Sequence, residues 1–365
     1  MSEPSTTTDY RHWRLESDPD GIQWLYLDCA DKARNTLGRE VLEELEQIIE
    51  RVEQERPRGL VLMSGKSDHF AVGADVEEFE QVDSEEGARE YLKRVHRLFD
   101  RIDQLELPTA VAFEGFCLGG GLELALCFDY RIARNVDATR IGFPEVRLGI
   151  YPGFGGSARA TRAMGGQKAM EIMLTGRMLR AGQARAAGLI DQLSDAHGSL
   201  RWCARHAVLK GRRSRAPGLL ARLTNATPAR RLLARVMRKQ TTRQARPEHY
   251  PAPYKLIDAW EAHGNDKRAM LDAEIDNVPA LLMGDTSAGL RRVFRLMERL
   301  KDEGRGSDFR ARRVHVVGAG VMGGDIAAWC ALKEIDVTLQ DREMKYIEPA
   351  LKRAGKLFRK KLKQP

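Results

Sequence analysis

Cysteine is scarce in this 365-residue sequence and follows no pattern. The five cysteines, Cys29, Cys117, Cys127, Cys203 and Cys330, are odd in number and never stand in a CxxC spacing. That excludes a disulfide framework and a structural zinc site and predicts reduced, mostly buried thiols; no metal is expected. An uninterrupted apolar run is also lacking. The apolar segment from Thr109 to Phe128 contains Glu114, Glu123 and three consecutive glycines, so no membrane span is predicted. The N-terminal "MSEPSTTTDYRHWRLE" lacks the apolar core of a signal peptide, and a cytoplasmic location is expected. Acidic residues nearly vanish from 201–250, where 14 Lys and Arg face Glu248 alone, leaving the other 315 residues with a formal charge of −5. Such a stretch attracts nucleic acid, anionic lipid or an anionic cofactor. Yet "RRLLARVMRKQTTRQAR" has no interleaved aromatics and reads as a solvated helix with Leu232, Leu233 and Val236 on one face, so no nucleic-acid partner is expected.

What is present describes a globular α/β protein, 42% hydrophobic and 31% charged, long enough for two or three cores. Residues 1–190 alternate strands with helices. "IQWLYLD", "LVLMSG", "TAVAFEG", "YRIAR" and "RIGF" read as strands, and Val41, Leu45, Ile48, Val52 and then Tyr91, Val95, Leu98, Ile102, Leu105 mark helices by their spacing. Residues 191–310 are polar and mainly helical, broken by Pro217, Pro228 and "HYPAPY", and read as a connector. Residues 311–365 read as strand, glycine loop, helix, strand.

Chemistry concentrates at two glycine-rich turns and one proline turn. In "LGGGLELAL" three glycines precede Glu123 where a strand gives way to a helix, and each would cost roughly 1 kcal/mol in a helix interior. Bare backbone there allows an acyl oxygen to approach the free N–H groups at the start of that helix. "FAVGADVEEF" makes another tight turn, with the N–H of Ala74 as a second donor; two converging donors form an oxyanion hole. In "GFPEVRLGIYPGFGG" Pro144 sets up a turn that projects Glu145 toward the cleft reached by Glu123. Asp75 and Asp129 read as capping or backbone-bonding carboxylates, and His69 and His96 have no catalytic partner pattern.

The ordered blocks "FAVGADVEEF", "AFEGFCLGGGLELALCFDYRIA", "IGFPEVRLGIYPGFGGSARATRAMG" and "LTGRMLRAGQARAAGLID" resemble those of the crotonase (enoyl-CoA hydratase/isomerase) superfamily. With "HYPAPYKLIDAWEAH" and the third zone, the whole chain is similar to that superfamily's multifunctional hydratase and 3-hydroxyacyl-CoA dehydrogenase branch, the alpha subunits of fatty-acid oxidation complexes. The resemblance implies a crotonase spiral of strand-strand-helix turns and hydration of trans-2-enoyl-CoA without a cofactor, with double-bond isomerisation by the same glutamate pair as a second expectation. It implies that Glu123 and Glu145 hold one water between them, while Ala74 and Gly120 grip the thioester oxygen. It also implies an acyl-CoA substrate, assembly as a homo-oligomer or hetero-oligomer, and a thiolase-type beta subunit as partner. Branches that dehalogenate or decarboxylate commonly lack the glutamate pair, so its presence favours hydration.

In "VVGAGVMGGDIAAW", Gly318, Gly320 and Gly323 follow a strand and open a helix, and Asp341 closes the next strand 18 residues beyond Gly323. This is the NAD fingerprint, the acid binding the ribose 2′-OH. The sequence stops at Pro365 after two strands and a lysine-rich helix. The rest of the cofactor sheet and the family's catalytic histidine and glutamate are not in it, so NAD chemistry is expected only of a complete dehydrogenase domain. Two strands cannot cover both faces of a parallel sheet, and Val316, Ile326 and Leu332 are expected to be exposed. Three other readings remain: a dehydrogenase resting on the glycine loop, a nucleic-acid binder resting on the charge of 201–250, and a non-catalytic scaffold that holds the thiolase-type partner.

Overall fold

Alternating and 3.6-residue apolar patterns settle into strands and helices over most of the chain. The computed structural model describes residues 7–67, 69–264, 266–303 and 308–362. Residues 1–6 and the end at Pro365, on which the expectations about a leader and the chain end bear, lie outside them. The chain forms two compact units, Met1–Leu296 and Met297–Pro365.

Among the described residues of the first unit, eleven strands form two sheets. They are β1 (Thr7–Asp9), β2 (Trp13–Ser17), β3 (Ile22–Leu27), β4 (Gly59–Ser64), β5 (His69–Ala71), β6 (Thr109–Phe113), β7 (Phe116–Leu118), β8 (Tyr130–Arg134), β9 (Arg140–Gly142), β10 (Met178–Leu179) and β11 (Gln192–Ser194). The larger sheet has the order β1-β2-β3-β4-β6-β8-β11 and the smaller β10-β9-β7-β5. Pairs from β3 onward in the larger sheet are parallel, as are β5/β7 and β7/β9. Three successive turns, β4-β5, β6-β7 and β8-β9, each give one strand to each sheet and are each followed by a helix: Glu85–Asp103, Gly120–Ala125 and Gly156–Met164. This is the expected spiral of strand-strand-helix turns.

The larger sheet is buried on both faces, as parallel sheets require. Along β3, Leu25 and Leu27 enter the main core with Leu60, Leu62 and the helix Arg39–Glu55, while Ile22, Trp24 and Tyr26 enter a second one. That second core is closed by Leu200, Ala204, Ala207 and Val208 of the helix Leu200–Leu209. A methyl on Gly59 of β4 would run into Val208 Cγ1, so the helix sits directly on bare strand backbone.

The segment read as a connector is helical, but it is built into the first unit up to Leu296. β11 lies just beyond residue 190 and completes the sheet edge beside β8. Leu256, Ile257, Trp260, Met270, Leu271 and Val278 all enter the main core. The basic helix Thr227–Thr242 is rotated from its expected face: Arg230 and Ala234 are buried and Leu233 and Met237 half-buried, while Leu232 and Val236 are exposed. Its inward face follows Arg230, whose guanidinium donates to the carbonyls of Glu261 (2.9 Å) and Ala262 (3.2 Å) at the end of the helix Ala252–His263.

The second unit pairs β12 (Arg313–Val317) in parallel with β13 (Asp336–Gln340) around the helix Val321–Leu332, followed by the helix Met344–Lys361. Ile326 is exposed as expected, with Val317 and Trp329, but Val316 and Leu332 are half-buried because the intervening helix covers one face of the pair. Four of the five thiols are buried and all five are free. No described helix is long and apolar enough to cross a membrane.

Candidate active site

Each glycine of the opening triplet answers to a different constraint. Gly119 has φ +51°, a conformation L side chains rarely adopt, and its carbonyl accepts from the N–H groups of Leu122 (2.8 Å) and Glu123 (2.9 Å), starting the helix. A methyl on Gly121 would strike Ala71 Cβ at 2.7 Å. At Gly120 a methyl would lie 3.3 Å from the Ala74 nitrogen and 3.0 Å from the Phe154 ring. Across the gap, a methyl on Gly73 (φ +107°) would lie 3.4 Å from the Gly120 nitrogen. The structure therefore brings the N–H groups of Ala74 and Gly120 together over bare backbone, and among the described residues neither has a hydrogen-bond acceptor. Asp75, one residue on, caps its turn through the Glu77 N–H (3.1 Å) and pairs with Lys32, and Asp129 accepts from the Thr109 N–H (3.1 Å). Both have the structural parts expected of them.

Glu123 and Glu145 are also brought together, close enough for the charge of one to act on the other. Glu123 is 2% exposed, and its Oε1 accepts from the N–H groups of Phe154 (2.8 Å) and Gly156 (2.7 Å). Glu145 opens a short 3-10 turn after Pro144; both its carboxylate oxygens are buried without a hydrogen-bond partner, with Oε1 beside Gly119. Burial, then the charges of Glu145 and Glu274, hold Glu123 well above the usual carboxylate range, while its two N–H donors pull the other way. Burial pushes Glu145 up to about 8 against the pull of its own backbone N–H, with Glu274 adding to the rise. Glu123 has two N–H donors from the turn that favour its ionised form, against only its own backbone N–H at Glu145, so the proton of the pair is assigned to Glu145.

The sequence reading missed a third carboxylate. Glu274, on the helix Lys267–Met283, is 0% exposed and binds the same turn as Glu123, with His96 beside it. Its signal was an acid on the stripe Met270, Leu271, Glu274, Val278, where burial otherwise selects apolar side chains.

The second unit holds the other glycine loop by itself. Gly318 has φ +97°, the space where Cβ atoms of Gly318 and Gly320 would stand is open, and a methyl on Gly323 would run into the Gly318 carbonyl. Their geometry has the tight turn, the open approach and the close packing that a dinucleotide loop requires. Asp341 accepts the N–H groups of Ala319 and Arg342, each at 2.7 Å, which lowers its pKa.

Comparison with known proteins follows the same division. Residues 23–247 match the family "Enoyl-CoA hydratase/isomerase", and residues 313–365 match "3-hydroxyacyl-CoA dehydrogenase, NAD binding domain". The chain is 35% identical over 364 residues to the fatty acid oxidation complex subunit alpha of Shewanella amazonensis, covering 96% of this chain and 51% of that protein. It is 36% identical over 320 residues to the same subunit of Aliivibrio fischeri, covering 85% and 46%. The chain thus spans about half the length of the curated relatives it matches. In fold it is similar to human mitochondrial delta3-delta2-enoyl-CoA isomerase (TM-score 0.57, 22% identity, 80% of this chain and 99% of that one). It is likewise similar to a carnitinyl-CoA dehydratase from Mycobacterium thermoresistibile (TM-score 0.60, 18% identity, 79% and 90%).

Proposed function

Since the chain belongs to the enoyl-CoA hydratase/isomerase family, we propose that its first unit hydrates trans-2-enoyl-CoA to 3-hydroxyacyl-CoA in fatty-acid β-oxidation. The observation that carries this reading is a pair of buried carboxylates with unequal hydrogen bonding beside two unengaged N–H groups. Hydration requires a base for water, a proton for the α carbon and stabilisation of an enolate-like oxygen. Glu123, held through Oε1, has Oε2 left to orient and deprotonate water for attack at the β carbon. Glu145, protonated, delivers its proton to the α carbon. The N–H groups of Ala74 and Gly120 receive the charge that develops on the thioester oxygen. Proton exchange through Glu145 also serves isomerisation of a 3-enoyl to a 2-enoyl thioester.

Hydration by this arrangement uses no cofactor. The loop of Gly318, Gly320 and Gly323 fits the pyrophosphate of NAD, with Asp341 at the ribose, and NAD supplies hydride acceptance only in a complete dehydrogenase domain. Likeness to fatty acid oxidation complex alpha subunits supports assembly with a thiolase-type partner. The test is turnover of crotonyl-CoA, followed by loss of enoyl-thioester absorbance. Wild-type protein hydrates it, and Glu123→Gln and Glu145→Gln each lower kcat by about 10²–10⁴. A folded wild type with no turnover, or mutants near the wild-type rate, would overturn the assignment.

A further inference from the structure

The turn Gly153–Ser157 distributes four successive backbone N–H groups between two buried carboxylates. Phe154 and Gly156 donate to Glu123 Oε1. The alternate groups go to Glu274: Gly155 N–H to Oε2 (2.7 Å) and Ser157 N–H to Oε1 (3.0 Å), which also accepts the Ser157 hydroxyl. The carbonyl of Gly153 accepts from His96 Nε2 (2.7 Å), which itself lies 3.2 Å from Glu274 Oε2. A buried carboxylate is costly unless its oxygens are satisfied, and an apolar side chain would otherwise pack better on this stripe. The hydrogen bonds of Glu274 to the backbone all go to the turn that orients Glu123.

We infer that Glu274 is a positioning residue of the hydratase site: by holding alternate N–H groups of turn 153–157, it fixes the donor pair that aims the Glu123 carboxylate. The inference rests on the hydratase reading. Glu274 touches neither substrate nor water in this scheme and acts through the turn. Its surroundings also carry charge and titratable groups: Glu123 and Glu145 from the catalytic pair, His96 from the helix Glu85–Asp103, Arg159 from the helix Gly156–Met164, and Tyr151. Arg159 is engaged by Asp100 at 2.7 Å, so its charge is shared. Removing the negative charge of Glu274 therefore lets Glu145 lose its proton at lower pH.

Glu274→Gln should lower kcat for crotonyl-CoA by about 10–100-fold, the scale of a misaimed catalytic group, with KM within about twofold because the oxyanion donors are untouched. The alkaline limb of kcat against pH, which reports loss of the Glu145 proton, should move to lower pH. Ser157→Ala removes one donor to Glu274 and keeps the charge, so kcat should fall by about 2–5-fold with the limb unmoved. A folded Glu274→Gln protein with wild-type kcat and limb, or one whose kcat and KM change together with the limb unmoved, overturns the inference. If Glu274→Gln does not fold, an unaltered kcat in Ser157→Ala overturns it and the small fall at constant KM supports it. If wild type lacks turnover, the hydratase reading fails separately. Carboxyl carbon NMR of glutamate-labelled protein, assigned by signals lost in Glu123→Gln and Glu145→Gln, then decides: a downward shift of the Glu145 titration in Glu274→Gln supports the contact, and an unchanged titration overturns it.

Discussion

At Glu145 the environment does what no local motif specifies. Its carboxyl is raised from 4.5 to about 8, chiefly by burial. Between those values the unfolded chain has released the proton and the folded protein retains it, so the native state binds more protons and unfolding free energy falls as pH rises. The contribution is complete below about 4.5 and lost as pH passes about 8, with a slope reaching about 1.4 kcal/mol per pH unit. Urea denaturation between pH 5 and 8 should show stability declining toward pH 8, and Glu145→Gln should make that decline shallower, Glu123, also raised, carrying the remainder. A parallel pH dependence in mutant and wild type would place the titrating group elsewhere. Gly120 offers a companion test, because Gly120→Pro deletes the N–H beside Ala74. A folded variant, checked by circular dichroism, should lose crotonyl-CoA turnover by about 10²-fold or more.

Among the elements, the helices after residue 200 matter most for how the site is held. The helix Leu200–Leu209 covers the second face of the large sheet, and the helix Lys267–Met283 brings Glu274 to the turn at Gly153–Ser157. Trp260 on the helix Ala252–His263 is 0% exposed and donates to Asn225 Oδ1 at 2.9 Å. Trp260→Ala leaves a cavity and an orphaned acceptor, expected to cost about 3–5 kcal/mol. Because the helices and sheets share one core, thermal melting should shift as a single transition reporting both near-ultraviolet and far-ultraviolet signals. A separate early transition with the sheet unperturbed would mean that the helices are an independent connector.

For the whole molecule, the two units differ in how much of their chemistry they contain. The first holds both carboxylates, both unengaged N–H groups and the turn that donates to Glu123. The second holds two parallel strands, one dinucleotide loop and Asp341, with Val317, Ile326 and Trp329 exposed. A dinucleotide lies across several parallel strands, and the contacts proposed for these residues reach only its adenosine half. A ligand at a hundredfold excess over Kd would stabilise by about 2.7 kcal/mol, so millimolar NAD should leave the melting curve of this 365-residue chain nearly unchanged, and 3-hydroxybutyryl-CoA plus NAD should give no NADH. A clear upward shift that disappears in Asp341→Ala would show a working site.

Local rules decided much of this protein in advance. Periodicity located β3, β4, β6, β8, β9 and the long helices, but not β1, β2 or the short strands β5, β7, β10 and β11; the glycine and proline turns singled out Ala74, Glu123 and Glu145, the resemblance of the ordered blocks added Gly120, and the strand-loop-helix pattern marked Gly318, Gly320, Gly323 and Asp341. These are short-range properties: side-chain alternation, the conformational freedom of glycine, and the reach of a turn. Tertiary structure decided what depends on distant residues meeting. It turned the helix Thr227–Thr242 so that Leu233 and Met237, not Leu232 and Val236, face inward, because Arg230 reaches carbonyls 31 and 32 residues away. It left Glu145 without a partner and gave Glu123 two, an inequality set by packing around each carboxylate. It also placed Glu274 against Gly155 and Ser157 across 119 and 117 residues of chain. No sequence spacing encodes that meeting, since the helix carrying Glu274 reaches the turn only when the core they share has formed.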